Sequence, residues 1–187
     1  MTEAPAPEPF GRIPFLACLL LAWLAASAFS LAVHWQSIGQ FDMSDPDDHL
    51  RLVQVRDWLA GQSWFDVSQH RFDPRGGDMH WSRIVDLPIA ALILLFRPML
   101  GTAGAEAAAI TLVPLLLLGG TMVSLGYAVR PLAGRGGALL AALLVPLIPS
   151  LLNQMAPTRI DHHGWQIAMA AVCLALIVSS RGAGAVT

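Results

Sequence analysis

The sequence predicts an all-α polytopic membrane protein, with about four transmembrane helices and a large external first loop that carries amphipathic and interfacial helices. Three observations predict it. Of 187 residues, 55% are apolar and only 13% charged, with mean hydropathy +0.58, a balance that suits a chain whose solvent is the bilayer. Long apolar runs recur along the chain. Nine of the thirteen acids and five of the eleven arginines nevertheless fall within residues 36–86, so one extended aqueous segment interrupts the apolar pattern. The formal net charge of −2 gives no electrostatic footprint for nucleic acid. Cys18 and Cys173 lie inside apolar runs without metal or redox spacing, and read as small hydrophobes.

The first twelve residues, Pro-rich and acidic with a single Arg12, lack the basic n-region of a secretory signal and read as a short disordered cytoplasmic tail. Residues 13–35 are uncharged and long enough to cross a hydrocarbon core of ~30 Å, with His34 and Trp35 at the far interface. An external loop follows over 36–106. Further spans are expected at 107–129, 136–152 and 164–180, separated by a short basic turn, RPLAGRGG, and by an external loop over 153–163. Pro146 and Pro149 are tolerable in a packed membrane helix. The run at 85–100 is short, holds Pro88, and carries Arg97 and Pro98 near its end; it is expected to lie in the interface. Arginine placement supports that choice: with this run not crossing, Arg12, Arg130, Arg135 and Arg181 share the cytoplasmic side and only Arg159 is left in a short external connection. Residues 181–187 form a second cytoplasmic tail, so the chain reads as the beginning of a larger protein.

Within the first loop, SDPDDHLRLVQVRDWLAG carries a helix-start signal: Asp45 at the N-cap, Pro46 at N1, Asp48 at N3, and Gly61 as the stop, giving an amphipathic helix over 46–60. Leu52, Val55 and Leu59 form an apolar stripe, with Arg51 and Asp57 expected on the opposite face. Capping and the helix dipole explain three acids in a first turn. A general base, or hard oxygen ligands for a divalent cation just above the bilayer, explains Asp45, Asp47 and Asp48 equally well. Later in the loop, His80 and Arg83 could contact a lipid phosphate, Arg83 through its fork of donors, or Arg83 could snorkel beside an interfacial Trp81.

After Glu106, Asp161 is the only acid in the chain. An ionisable group beside a membrane span points to function, although a solvated polar turn would lower its cost. In a tight turn Asp161 and His163 project to one side and His162 away. One carboxylate and one imidazole make an incomplete metal site, which the first-loop acids on the same external face could complete. Arg159 could hold a phosphate leaving group or pair with an acid.

With DPDDHLR at 45–51 after the first span and RIDHH at 159–163 before the last, the chain resembles the first part of the catalytic subunit of oligosaccharyltransferase and, more widely, the membrane glycosyltransferases of the C-type (GT-C) fold. The order of a Pro-containing span, a basic turn, a small-residue span, the motif and another span over 111–181 is similar too. The resemblance implies transfer of a sugar or oligosaccharide from a polyprenyl-phosphate-linked donor to a protein or glycan acceptor, assisted by Mn²⁺ or Mg²⁺. It implies Asp45, Asp161 and His163 as metal ligands and one of Asp45, Asp47 and Asp48 as the acid that orients or deprotonates the acceptor; Arg159, Arg83 and His80, read above as phosphate contacts, would then meet the donor phosphate. The expected setting is a bacterial inner membrane with the site facing the periplasm. The family's C-terminal soluble domain and most later spans lie outside these residues. The competing expectation is a non-enzymatic transporter or subunit module with an Asp/His proton or cation relay.

Overall fold

The computed structural model describes residues 14–71 and 76–184, with side chains as far as residue 180; the two tails expected at 1–12 and 181–187 fall, for the most part, outside them. Helix α1 (Phe15–Gln40) is followed by α2 (Pro46–Leu59), a two-residue hairpin of β1 (Ser68–Gln69) and β2 (Gly77–Asp78), a 3-10 turn (Arg83–Val85), the long stretch α3 (Asp86–Leu147), the short α4 (Pro149–Gln154) and α5 (His163–Gly184). Three helical stretches, Phe15–Gln40, Arg83–Leu147 and His163–Ser180, are long and apolar enough to cross a membrane.

As a straight rod the 62 residues of α3 would extend ~93 Å at 1.5 Å per residue, about three times the thickness of a hydrocarbon core. It is broken twice. Gly101 (φ 68°, ψ 179°) and Gly134 (φ 65°, ψ −171°) take backbone conformations open to glycine and strained for residues with a Cβ, and Ala133 joins the second break. The breaks divide α3 into pieces over 86–100, 102–132 and 135–147. The first break falls where the interfacial run was expected to end, and the second falls within the RPLAGRGG turn.

Several boundaries differ from the expected ones: the middle piece of α3 begins at 102, inside the loop expected to end at 106, and α5 continues to Gly184. Helix α1 runs five residues past 35, because HWQSIGQ keeps helical hydrogen bonding after the apolar run ends; it stops at Phe41 in the left-handed region. The expected span over 136–152 is not continuous. Ile148 is extended (φ −89°, ψ 110°), as a residue before proline favours, and Pro149 then starts α4 at its N1 position.

Two apolar cores hold the chain together. One joins Phe15 and Leu19 of α1 to Leu118, Met122, Ala138, Ala142 and Val145 of α3 and to Met155. Trp23 donates its indole N–H to the Leu115 carbonyl at 2.7 Å. The other core lies under the segment between α1 and α3 and packs Leu52 and Val55 of α2 against Ile89, Ile93, Ala105, Ile110 and Ile160. The outward faces of α1 and α5 keep Leu21, Leu24, Phe29, Val33, Leu176 and Ile177 exposed, as lipid-facing surfaces require.

The same second core corrects one expectation. Arg51 does not lie on a solvated face of α2: it is fully buried and donates to Asp86 at 2.8 Å. Its guanidinium also lies 4.7 Å from the Trp81 ring centroid and donates to the Ser82 carbonyl at 3.3 Å.

Candidate functional site

The site forms where the start of α2 meets the turn before α5. Asp45 caps α2, its carboxylate accepting the Asp47 N–H at 3.0 Å, and Pro46 fixes the first helical φ. One turn on, Asp48 lies on the helix face that Leu52 and Val55 direct inward, and is fully buried. The turn that meets it is held by Thr158, whose N–H donates to the Ile110 carbonyl at 2.9 Å. Thr158 has φ 76°, a strained conformation for a β-branched residue, and it sets the direction in which Arg159 and Ile160 leave the chain.

Asp48 is the link between the two segments. Its Oδ1 accepts the backbone N–H groups of Ile160 at 2.7 Å and Asp161 at 2.8 Å. Its Oδ2 accepts from Arg159 Nη1 at 2.8 Å. The same guanidinium reaches Asp45 Oδ2 at 3.1 Å, Asp161 Oδ2 at 3.1 Å and Gln154 Oε1 at 2.9 Å. Asp161 Oδ1 accepts the His163 N–H at 3.0 Å, and His163 Nε2 lies 4.0 Å from Asp161 Oδ2. Asp161 and His163 therefore share one side of the turn. His162 turns toward Trp81, with ring centroids 5.8 Å apart.

These surroundings move the protonation equilibria. Burial pushes the Asp48 carboxyl up to about 6, against the pull of Arg159. The Asp47 N–H, and then Arg159, hold Asp45 below its ordinary value. Burial and the neighbouring His163 lower His162, keeping its imidazole neutral at neutral pH.

The remaining candidates fall in different places. Asp47 is half-buried, and its carboxylate accepts no hydrogen bond among the described residues; it acts electrostatically on His162. His80 is exposed, edge-on to Trp81 with centroids 5.7 Å apart. Arg83, expected at a lipid phosphate or snorkelling at the interface, is instead buried. It donates to Gln62 Oε1 at 3.0 Å and to the Asp66 carbonyl, and so braces the loop from inside. The terminal nitrogens of Arg159 donate to Asp48, Gln154 and Asp161 and pair with Asp45, while its buried Nε has no partner among the described residues. A cavity of about 130 Å³ opens beside it, lined among others by His34, Ser37, Ser44, Asn153 and Thr158.

The carboxylates do not fit a metal as they are arranged. Asp45, Asp48 and Asp161 converge, but on a guanidinium, and among the described residues no group of three or more ligating side chains is disposed around a common point.

Sequence reasoning missed Gln154, and it missed the buried pairing of Arg51 with Asp86. The second had a signal: Arg51 stands three residues after Asp48 and beside Leu52, on the inward face of α2.

Fold and site together define a helical membrane protein in which two polar segments, more than a hundred residues apart in sequence, close into one charged cluster at the helix ends. No family model, curated protein or solved structure matches the chain.

Proposed function

We propose that the protein is a membrane glycosyltransferase, or part of one, that transfers a sugar from a polyprenyl-phosphate-linked donor to a protein or glycan acceptor at the external face of the membrane. The observation that carries the reading is the direct contact of Asp48 with Ile160, Asp161 and Arg159. It joins the DPDDHLR and RIDHH segments, on which the resemblance to C-type glycosyltransferases rests. A run at 86–100 that crossed the bilayer would put these segments on opposite sides, so their contact favours four crossings with that run in the interface. Relays in transporters lie at mid-membrane depth, whereas this cluster lies at the ends of the helices.

In this reading an acceptor nucleophile attacks the anomeric carbon as the bond from that carbon to the phosphate oxygen breaks. The electron pair leaves with the phosphate, and the acceptor proton passes to a carboxylate. Asp47 suits that role because its oxygens are not taken up among the described residues, while Asp45, Asp48 and Asp161 are held by Arg159. Asp48 and Asp161 fix the turn, and the small polar cavity beside Arg159 offers hydroxyl and amide groups to a sugar or phosphate. His80 is exposed beside Trp81 and His163 is half-exposed beside Asp161, so both imidazoles are accessible to a donor headgroup.

The test is transfer from a lipid-linked sugar by membranes containing the intact protein. Asp47→Asn should lower transfer by roughly 10²–10⁴-fold, the usual range for a lost general base, and leave thermal stability unchanged. Asp161→Asn should abolish transfer as well. Full activity in both variants would sink the assignment.

A further inference from the structure

We infer that Arg159 is the resident cation of the carboxylate cluster: its guanidinium stands where the divalent ion implied by the resemblance would stand, and the wild-type chain binds no such ion there. The inference does not rest on the transfer reading, since a chain that transfers nothing would hold the same cluster.

The argument is an accounting of donors and acceptors. Asp45, Asp48 and Asp161 present six carboxylate oxygens, and each faces a hydrogen-bond donor or the guanidinium. Asp45 Oδ1 takes the Asp47 N–H, Asp48 Oδ1 takes two backbone N–H groups and Asp161 Oδ1 takes the His163 N–H. The three Oδ2 atoms all face Arg159 at 2.8–3.1 Å. On the other side, Nη1 donates to Asp48 and lies 3.1 Å from Asp45 Oδ2, and Nη2 donates to Asp161 and Gln154. A hard divalent cation binds by replacing its water with anionic oxygens, and here the three Oδ2 atoms already face a fixed cation while the Oδ1 atoms hold backbone N–H groups. Displacing the guanidinium would also strand a charge that is 94% buried, since only 6% of its side chain is exposed, and leaving a buried ion-pair partner uncompensated is strongly unfavourable. A single planar cation with two nitrogens at the cluster thus does the bridging that a metal would do, and its positive charge stays with the protein at every metal concentration.

Removing the guanidinium leaves the carboxylates of Asp45, Asp48 and Asp161, which its two terminal nitrogens hold together, without their shared counter-charge. The test is titration of Mn²⁺ against the purified full chain in detergent, reading free Mn²⁺ by electron paramagnetic resonance. Wild type should show no saturable site. Arg159→Met, similar in length and neutral, should gain about one Mn²⁺ per chain, because three neighbouring carboxylates without the guanidinium can then draw together on a divalent cation. The double variant Arg159→Met/Asp48→Asn should lose that gain. A saturable site in wild type that disappears in Asp161→Asn would overturn the inference, and so would a folded Arg159→Met, checked by circular dichroism, that binds no Mn²⁺. If Arg159→Met does not fold, the wild-type titration decides alone: absence of a saturable site supports the inference and its presence overturns it.

Discussion

Asp48 and Arg51 make the sharpest residue-level predictions, because both are fully buried and charged. The Asp48 carboxyl has its ordinary value of 3.8 when unfolded and is raised to about 6 when folded. The folded state therefore binds this proton more tightly. The stability lost to burying the charge is fully present above pH ~6 and disappears below pH ~4. Thermal unfolding in detergent should accordingly show a midpoint that rises as pH falls through about 6 toward about 4, and Asp48→Asn should reduce that rise. Arg51→Met should cost about 3–5 kcal/mol, since Asp86 would be left buried without its guanidinium, whereas substituting Asp47 should cost little. Asp45, Asp48, Asp161 and His163 were visible in the sequence as residue types out of place in an apolar chain. Their partners were harder to see, because an arginine's choice among acids depends on which helix faces inward: Arg83 and Arg51 look solvated by composition and are buried by packing. Metal coordination and a guanidinium bridge also draw on the same acids, so the sequence pattern alone does not separate them.

At the scale of elements, the start of α2 was legible to the residue, because Asp45 and Pro46 act through local backbone chemistry, and Gly61 marked its end to within a residue or two. The hairpin at Ser68–Gln69 and Gly77–Asp78 was not, since two-residue strands carry no periodicity. Pro149 stopped a helix that hydropathy would have continued, as the extended Ile148 before it explains. Two glycines mark close approaches that are open to direct test. A Cβ at Gly164 would lie 2.8 Å from the Gln154 carbonyl oxygen, so Gly164→Ala should push α4 away from the start of α5 and cost about 1–3 kcal/mol, measurable as a lower unfolding midpoint. A Cβ at Gly119 would lie 2.9 Å from the Trp23 indole nitrogen. Gly119→Ala should therefore weaken the bond from Trp23 to Leu115 and red-shift the tryptophan fluorescence; an unchanged spectrum would show that α1 can shift aside at no cost.

For the whole molecule, composition was enough to indicate a helical membrane protein, and arginine placement favoured the side on which the acids meet. What hydropathy could not settle was how a run of 62 helical residues divides, because Gly101 and Gly134 act through φ rather than through polarity. Topology can be read with single cysteines in a background without Cys18 and Cys173. Asp47→Cys and His163→Cys should react with an impermeant maleimide from one side of the membrane, and Leu132→Cys, exposed near the second break, from the other. Labelling of the first two from opposite sides would exclude a shared site.

The central claim is that the first-loop acids and the turn before α5 form one electrostatic unit, and a double-mutant cycle between Asp48→Asn and Arg159→Met measures that coupling directly. Unfolding free energies of the two single variants and the double variant should reveal an interaction of roughly 1–3 kcal/mol, as expected for residues sharing a buried network. Additivity within about 0.5 kcal/mol, the behaviour of independent sites, would contradict it.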